Sequence, residues 1–351
     1  MGSKELNTEE QTMKQKNKRS RPLVGSLTIF TGILALLLFI MLSVSLGAAD
    51  IDLKTVKEAI LYFNPNREEH QIIWELRLPR ILGAAMVGSG FAVAGALMQG
   101  MTRNPLADSG LLGLNAGAAF MLAVCLAFFP GMPYIVIILF SFLGAALGAG
   151  VVYGIGSLSK NGLTPIRLVL AGAAVSALLS ALSEGIALYF GVGQDMAFWY
   201  AGGVSGTSWG HLQVMAPWMV LAYLGAITLS RSITVLSMGE EVAIGLGEKT
   251  GRVKIMSAVI ILILAGAAVS VVGAVSFVGL IVPHVARFLV GHDYRWIIPS
   301  SVVLGALLVV VADLAARMIN PPYETPIGAL IALLGVPFFL YLARKGGGKI
   351  G

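Results

Sequence analysis

The chain has 351 residues, 57% of them hydrophobic and only 12% charged, about half the charged share of an ordinary soluble domain. With a mean hydropathy of +0.85, this excludes a soluble globular protein and points to one embedded in a membrane. The net charge of +6 is spread over connecting segments rather than gathered on one face, which argues against a nucleic-acid partner.

Residues 1–22 are polar and basic, which predicts a disordered tail. The apolar run that follows resembles a signal peptide, but it exceeds the usual h-region of about 7–15 residues and lacks an A-x-A cleavage site. A retained first helix is expected. Crossing a hydrocarbon core of about 30 Å takes about 20 helical residues. Ten runs approach that length, near 24–46, 80–99, 111–130, 134–156, 167–190, 213–230, 255–273, 275–290, 297–319 and 326–343. The expected fold is therefore all-α, a polytopic bundle of about ten transmembrane helices over 23–345, with no separate soluble domain.

Starting from a cytoplasmic N-terminus, eighteen of the 24 Lys and Arg residues fall on the inner side and six on the outer. This asymmetry places both termini, including the tail at 346–351, in the cytoplasm. Arg77, Arg80 and Arg317 are then conspicuous, because they sit at outer helix ends where insertion favours the fewest positive charges. Snorkelling to headgroups is one account, and Asp313 one turn before Arg317 offers an i,i+4 pair as another.

Cys125, the single cysteine, lies within the third run, so no intramolecular disulfide can form. His70, His211, His284 and His292 are scattered, without the spacing of metal ligands, and no cofactor is expected. Small-xxx-small spacings at Gly144 and Gly148, Gly150 and Gly154, and Ala92 and Ala96 predict tight helix contacts.

In the fifth run, Ser176, Ser180, Ser183 and Glu184 share one helical face. Hydroxyls alone would suit interhelical hydrogen bonds, but a carboxylate in a span needs a partner or a water-filled cavity. A lining for a polar path is the sharper expectation.

Three short motifs were weighed. "GLGEKTG" at 245–251 lacks the glycine before lysine that a phosphate loop needs, and no strand precedes it. "GVSG" at 203–206 matches the G-x-S-G of intramembrane serine proteases, with Ser205 as nucleophile and His284 as base, but so short a pattern is cheap in a glycine-rich chain. The inner connector 231–254 contains "GEEVAIGLG", where Glu240 and Glu241 precede a small apolar patch around Ala243 and Leu246. Its composition suggests a short helix presented to a cytoplasmic partner.

Taken together, "RLPRILGAAMVGSGFAVAGALMQGMTRNPLADSGLLGLNAGA", "RLVLAGAAVSALLSA", "WYAGGVSG", "GEEVAIGLG", "GAVSFVGLIVPHVARFLVGHDYRWIIPSSVVLGALLVVVADLAAR" and "TPIGALIALLGVPFF" resemble the iron-siderophore and vitamin B12 class of bacterial ABC import permeases, the FecCD type. The resemblance implies a ten-helix subunit of the bacterial cell membrane that pairs with a second, identical or paralogous, permease subunit. Two cytoplasmic ATPase subunits would lie beneath it and an extracytoplasmic substrate-binding protein above. By the same resemblance, Arg77, Arg80 and Arg317 would receive acidic residues of the binding protein. Gly239, Glu240, Glu241, Ala243, Leu246 and Gly247 would couple to the ATPase. Thr164 and Pro165 would stand at the cytoplasmic gate, and the serine and Glu184 face would line the path. The implied substrate is an iron-siderophore complex, with vitamin B12 or haem as alternatives. A proton-coupled secondary transporter using Glu184 is the rival from another class.

Overall fold

The computed structural model describes residues 21–47, 51–157, 165–321 and 323–347. Among them every regular element is helical. Hydrocarbon imposes this, since lipid offers no partner to a backbone N–H or C=O and a helix satisfies both within the segment.

Thirteen α-helices are described, besides a 3₁₀ turn at Ser109–Leu112. They are α1 (Pro22–Ser45), α2 (Leu53–Leu61), α3 (Glu68–Thr102, with a π-turn at Ile72–Arg77), α4 (Leu114–Phe128), α5 (Tyr134–Ser157), α6 (Pro165–Phe190), α7 (Gly193–Ala201), α8 (Trp209–Met238), α9 (Glu240–Gly245), α10 (Thr250–Val272), α11 (Val278–Val290), α12 (Tyr294–Ile319) and α13 (Ile327–Gly347). Seven of them, α1, α3, α5, α6, α8, α10 and α12, are long and apolar enough to cross a membrane. The shorter apolar helices α4, α11 and α13 account for the other three hydrophobic runs.

Two runs differ from their expected form. α8 continues through Arg231 to Met238, because a charged residue ends an apolar run but not a helix. The connector expected over 231–254 shrinks accordingly to 239–249. The run at 275–290 becomes helical only at Val278, and the stretch before it is not helical, with Phe277 in the left-handed region at φ 69°. That conformation is uncommon for a bulky residue. The ring has room because it packs on Gly335 of α13, where a Cβ would collide with it.

α3 is the axis of the bundle, with α8, α10, α11 and α12 packed around it. Gly95 marks the closest approach: a Cβ there would overlap the backbone of Gly279 in α11. Ala92 and Ala96 are fully buried on the same helix. The expected Gly144 and Gly148 contact is made against Gly117 and Gly113 of the α4 region. At Gly150, by contrast, a Cβ would meet no atom within 4 Å among the described residues, so Gly150 marks no close helix approach there.

The bundle has two distinct ends. At the near end, the N–H of Arg21 donates to the carbonyl of Val290 at 3.2 Å, joining the start of α1 to the end of α11. At the far end, residues 51–77 form a small cover that hydropathy does not reveal. Trp74 donates its indole N–H to Ala59 at 2.7 Å, and Trp209 donates to the carbonyl of Trp74 at 2.7 Å.

Candidate functional site

The structure gathers Arg77, Arg80 and Arg317 at the far end, with their guanidinium groups turned inward. Arg77 is only 7% exposed, and its Nη1 donates to the carbonyls of Val44 and Ser45. These are among the last carbonyls of α1, which no intrahelical N–H can satisfy. Arg317 donates to the carbonyl of Ser43 at 3.2 Å and to the Ser43 hydroxyl. Both arginines thus cap the same helix end, where a cation also suits the helix dipole.

Asp313 ties this cap to α3. Its carboxylate is fully buried, accepts from Nε of Arg80 at 2.9 Å and pairs with Arg317 at 3.2 Å. The i,i+4 pair anticipated from the sequence is therefore one arm of a larger knot. Arg80 also pairs with Glu324, whose side chain remains 49% exposed. Glu324 is the group through which the knot meets its surroundings.

Beside the knot opens a cavity of about 710 Å³ that includes Arg80, Glu324, Tyr134, Asp195, Trp199 and Ser205 in its wall. His284 lines a different cavity with Arg103. Arg80 and Arg103 lie near opposite ends of α3, roughly 35 Å apart by helix rise, so Ser205 and His284 cannot act as nucleophile and base.

The serine face of α6 divides. Ser183 is fully buried and donates to the carbonyl of Leu179 at 2.7 Å. Tyr200 of α7 reaches Ser183 and lies close to Glu184. Ser176 and Ser180 are half-buried, and Glu184 is exposed, one turn before Leu188, which is also exposed. A carboxylate is costly among leucines in lipid, so this face requires water or another protein surface. Pro165 begins α6, where its missing N–H costs nothing. Thr164 lies outside the described residues.

The α8–α10 connector is pinned at both sides. Gly239 at φ 141° and Gly247 at φ 83° bracket α9, conformations that L-residues with side chains rarely adopt. Glu240 turns inward to Nζ of Lys254 on α10 at 2.6 Å, while Glu248 accepts from the hydroxyl of Ser232 on α8 at 2.9 Å. Ala243 is fully buried and forms the keel of the loop. The outward surface is instead made by Glu241, which is exposed, with Val242, Ile244 and Leu246 at 46%, 60% and 65% exposure. Lys254 and Glu248 escaped the sequence reading. Their only signal was opposite charge flanking a glycine-bracketed apolar patch.

The Lys254 hydrogen bond, with Arg103 adding attraction, holds the Glu240 carboxylate below its ordinary value of 4.5. A depressed carboxylate stabilises the folded loop fully above that ordinary value and loses the effect only as pH falls through the lower folded one. Lys254→Ala is expected to leave the bundle intact, because a partly exposed pair contributes about 0–1 kcal/mol. Amide exchange of residues 243–248 should nevertheless rise roughly 2- to 5-fold at pH 7, and the difference from the parent should shrink below about pH 4. Identical exchange at pH 7 would show that the pair pins nothing.

The FecCD transport family model matches residues 35–345. Over 326 residues, 93% of this chain and 85% of the relative, the sequence is 52% identical to the iron(3+)-hydroxamate import system permease protein FhuB of Bacillus subtilis (strain 168). It is 41% identical over 321 residues, 92% of this chain and 96% of the relative, to the iron-uptake system permease protein FeuB of the same organism. A solved metal-chelate type ABC transporter in an inward-facing conformation superposes with a TM-score of 0.79 at 27% identity, covering 90% of this chain and 98% of that one. With the family's pattern running through nearly all of the helical bundle, this chain belongs to the FecCD transport family.

Proposed function

We propose that the chain is the membrane permease subunit of an ABC importer that carries a ferric siderophore into the bacterial cytoplasm. The observation that carries this reading is the 52% identity to an iron(3+)-hydroxamate permease along 93% of the chain, which favours a hydroxamate-type iron complex over vitamin B12 or haem. In this reading ten helices cross the membrane, the shorter α4 and α11 reaching through by packing inside protein. The near end faces the cytoplasm, a reading that the charge asymmetry supports.

Energy comes from separate ATPase subunits seated on the outward surface of α9. The "GLGEKTG" stretch belongs to the pinned connector between two helices, not to a strand–loop–helix phosphate cradle. A second permease subunit, identical or paralogous, covers the bare face of α6, leaving Glu184, Ser180 and Ser176 beside the path. The binding protein docks at the far end, above the Arg80 and Asp313 knot.

Reconstituted in proteoliposomes with its ATPase, partner permease and binding protein, the chain should take up a ferric hydroxamate only when ATP is supplied. Uptake by the permease alone, driven by a proton gradient, would instead establish the secondary transporter. Cysteines at Ser180 and Glu184, with Cys125 replaced, should react with a water-soluble thiol reagent in at least one transport state, whereas a cysteine at the buried Ser183 should react at least tenfold more slowly. Equal protection of all three in every state would remove the path from this face.

The docking role makes its own demand. An incoming carboxylate must displace Glu324 from Arg80, because the other arginine contacts are buried. Glu324→Gln should therefore strengthen binding-protein affinity a fewfold at low salt and flatten at high salt, as exposed charges are screened. Unchanged affinity would mean that the arginines serve only to hold the far end of the bundle together.

A further inference from the structure

At the near end, a cavity of about 410 Å³ lies beside the pinned connector, between α3, α8, α11 and α12. α3 contributes Gln99 and Arg103 to its wall, α11 contributes Arg287 and Phe288, and Ser237 and Tyr294 close it. Two guanidinium-bearing residues line it, and no carboxylate does. Neither Arg103 nor Arg287 makes an ion pair among the described residues. The nearby acids have closer partners, Asp293 in Arg295 at 2.7 Å and Glu240 in Lys254 at 2.6 Å, while Glu240 also attracts Arg103 from outside this cavity.

Arg287 is also held in place. Its Nη2 donates to Oε1 of Gln99, and Gln99 is itself 2% exposed and donates its amide to the carbonyl of Gly279 at 3.0 Å. Tyr294 approaches the same guanidinium. These partners are neutral, so they orient the charge without cancelling it. Arginine does not deprotonate in proteins, and a guanidinium in a partly desolvated wall therefore calls for an anion from outside the chain. Fork-shaped donors fit tetrahedral oxyanions in bidentate fashion, with the hydroxyl of Tyr294 suited to a remaining oxygen. Phe288, 77% exposed at the rim, supplies an apolar edge on which a lipid chain can lie. Basic pockets between membrane helices on the cytoplasmic side hold acidic headgroups in this way.

We infer that this cavity binds a phosphate-class oxyanion, with Arg287 and Arg103 as its charge partners and Gln99 as the residue that orients Arg287. Two sources share that chemistry, the phosphodiester headgroup of an anionic lipid and free phosphate. The site is independent of the transported substrate. Only the choice of the inner leaflet for the lipid rests on the orientation proposed above.

The test uses the purified full chain in phosphatidylcholine nanodiscs. One arm titrates inorganic phosphate against chloride at matched ionic strength and reads the melting midpoint. The other arm adds phosphatidylglycerol to the discs and counts, by native mass spectrometry, the lipid retained after extraction. A saturable response in at least one arm is expected. The first arm alone identifies free phosphate, and the second identifies lipid. The double variant R103Q/R287Q should weaken the response at least tenfold, whereas Arg252→Gln, which removes an exposed charge elsewhere at the near end, should not. If the double variant does not assemble, Arg287→Lys keeps the charge and loses the fork, and should weaken binding at least threefold. No saturable response in either arm overturns the assignment. So does an equal loss in Arg252→Gln, or unchanged binding in Arg287→Lys.

Discussion

In lipid there is no water to expel from between helices, so a bundle coheres through short-range contact and the hydrogen bonds it can close internally. Here that contact is concentrated on α3, where Gly88 meets the Gly305 backbone and Gly95 meets that of Gly279. Larger side chains at these places would hold α11 and α12 away. Because α3 is gripped along its length, its two ends are fixed relative to each other. Those ends carry Arg77 and Arg80 at one side and Gln99 and Arg103 at the other, so a single buried helix sets the position of both polar regions.

The two ends solve the problem of arginine in different ways. At the far end, Asp313 and Glu324 stand against Arg80 and Arg317, and Arg77 rests on helix carbonyls. At the near end, Arg103 and Arg287 face a cavity whose wall holds no carboxylate, and the hydrogen-bond partner that orients Arg287 there is neutral. Topological bias alone does not explain this contrast, since inserting a helix asks only that positive charge lie on one side, not that it converge on a pocket.

What was legible in the sequence follows from what lipid dictates. Apolar runs announce spans because the hydrocarbon core demands length and hydropathy, and each of the ten runs contains a helix. The direction in which a polar side chain points is not dictated in that way. The Arg77 and Arg317 pattern suggested an outward dock, yet the free carbonyls at the end of α1, distant in sequence, draw both side chains inward. Glu240 looked like a surface acid because Lys254 is fourteen residues away, and only the fold of the connector brings them together. Ala243 shared the apolar patch with Leu246, but the helical turn of α9 sends one inward and the other outward. The late start of α11, at Val278 rather than at the expected 275, was equally hidden. "VGAVSFVGL" reads as continuous apolar sequence, and the left-handed Phe277 depends on a gap left by Gly335 in another helix.

The pinned connector also has a mechanical meaning. A hinge would absorb a push, but α9 is fastened on one side to α8 through Glu248 and on the other to α10 through Glu240. A load applied at Ile244 and Leu246 is therefore delivered to two long helices in parallel, both braced on α3. Along α10, the first non-helical stretch that the load meets is the backbone after Val272, where the N–H of Gly203 holds the carbonyl of Val272 at 2.9 Å. Displacement that begins at the near end would thus run along α10 to the point where Phe277, packed on Gly335, links α11 to α13.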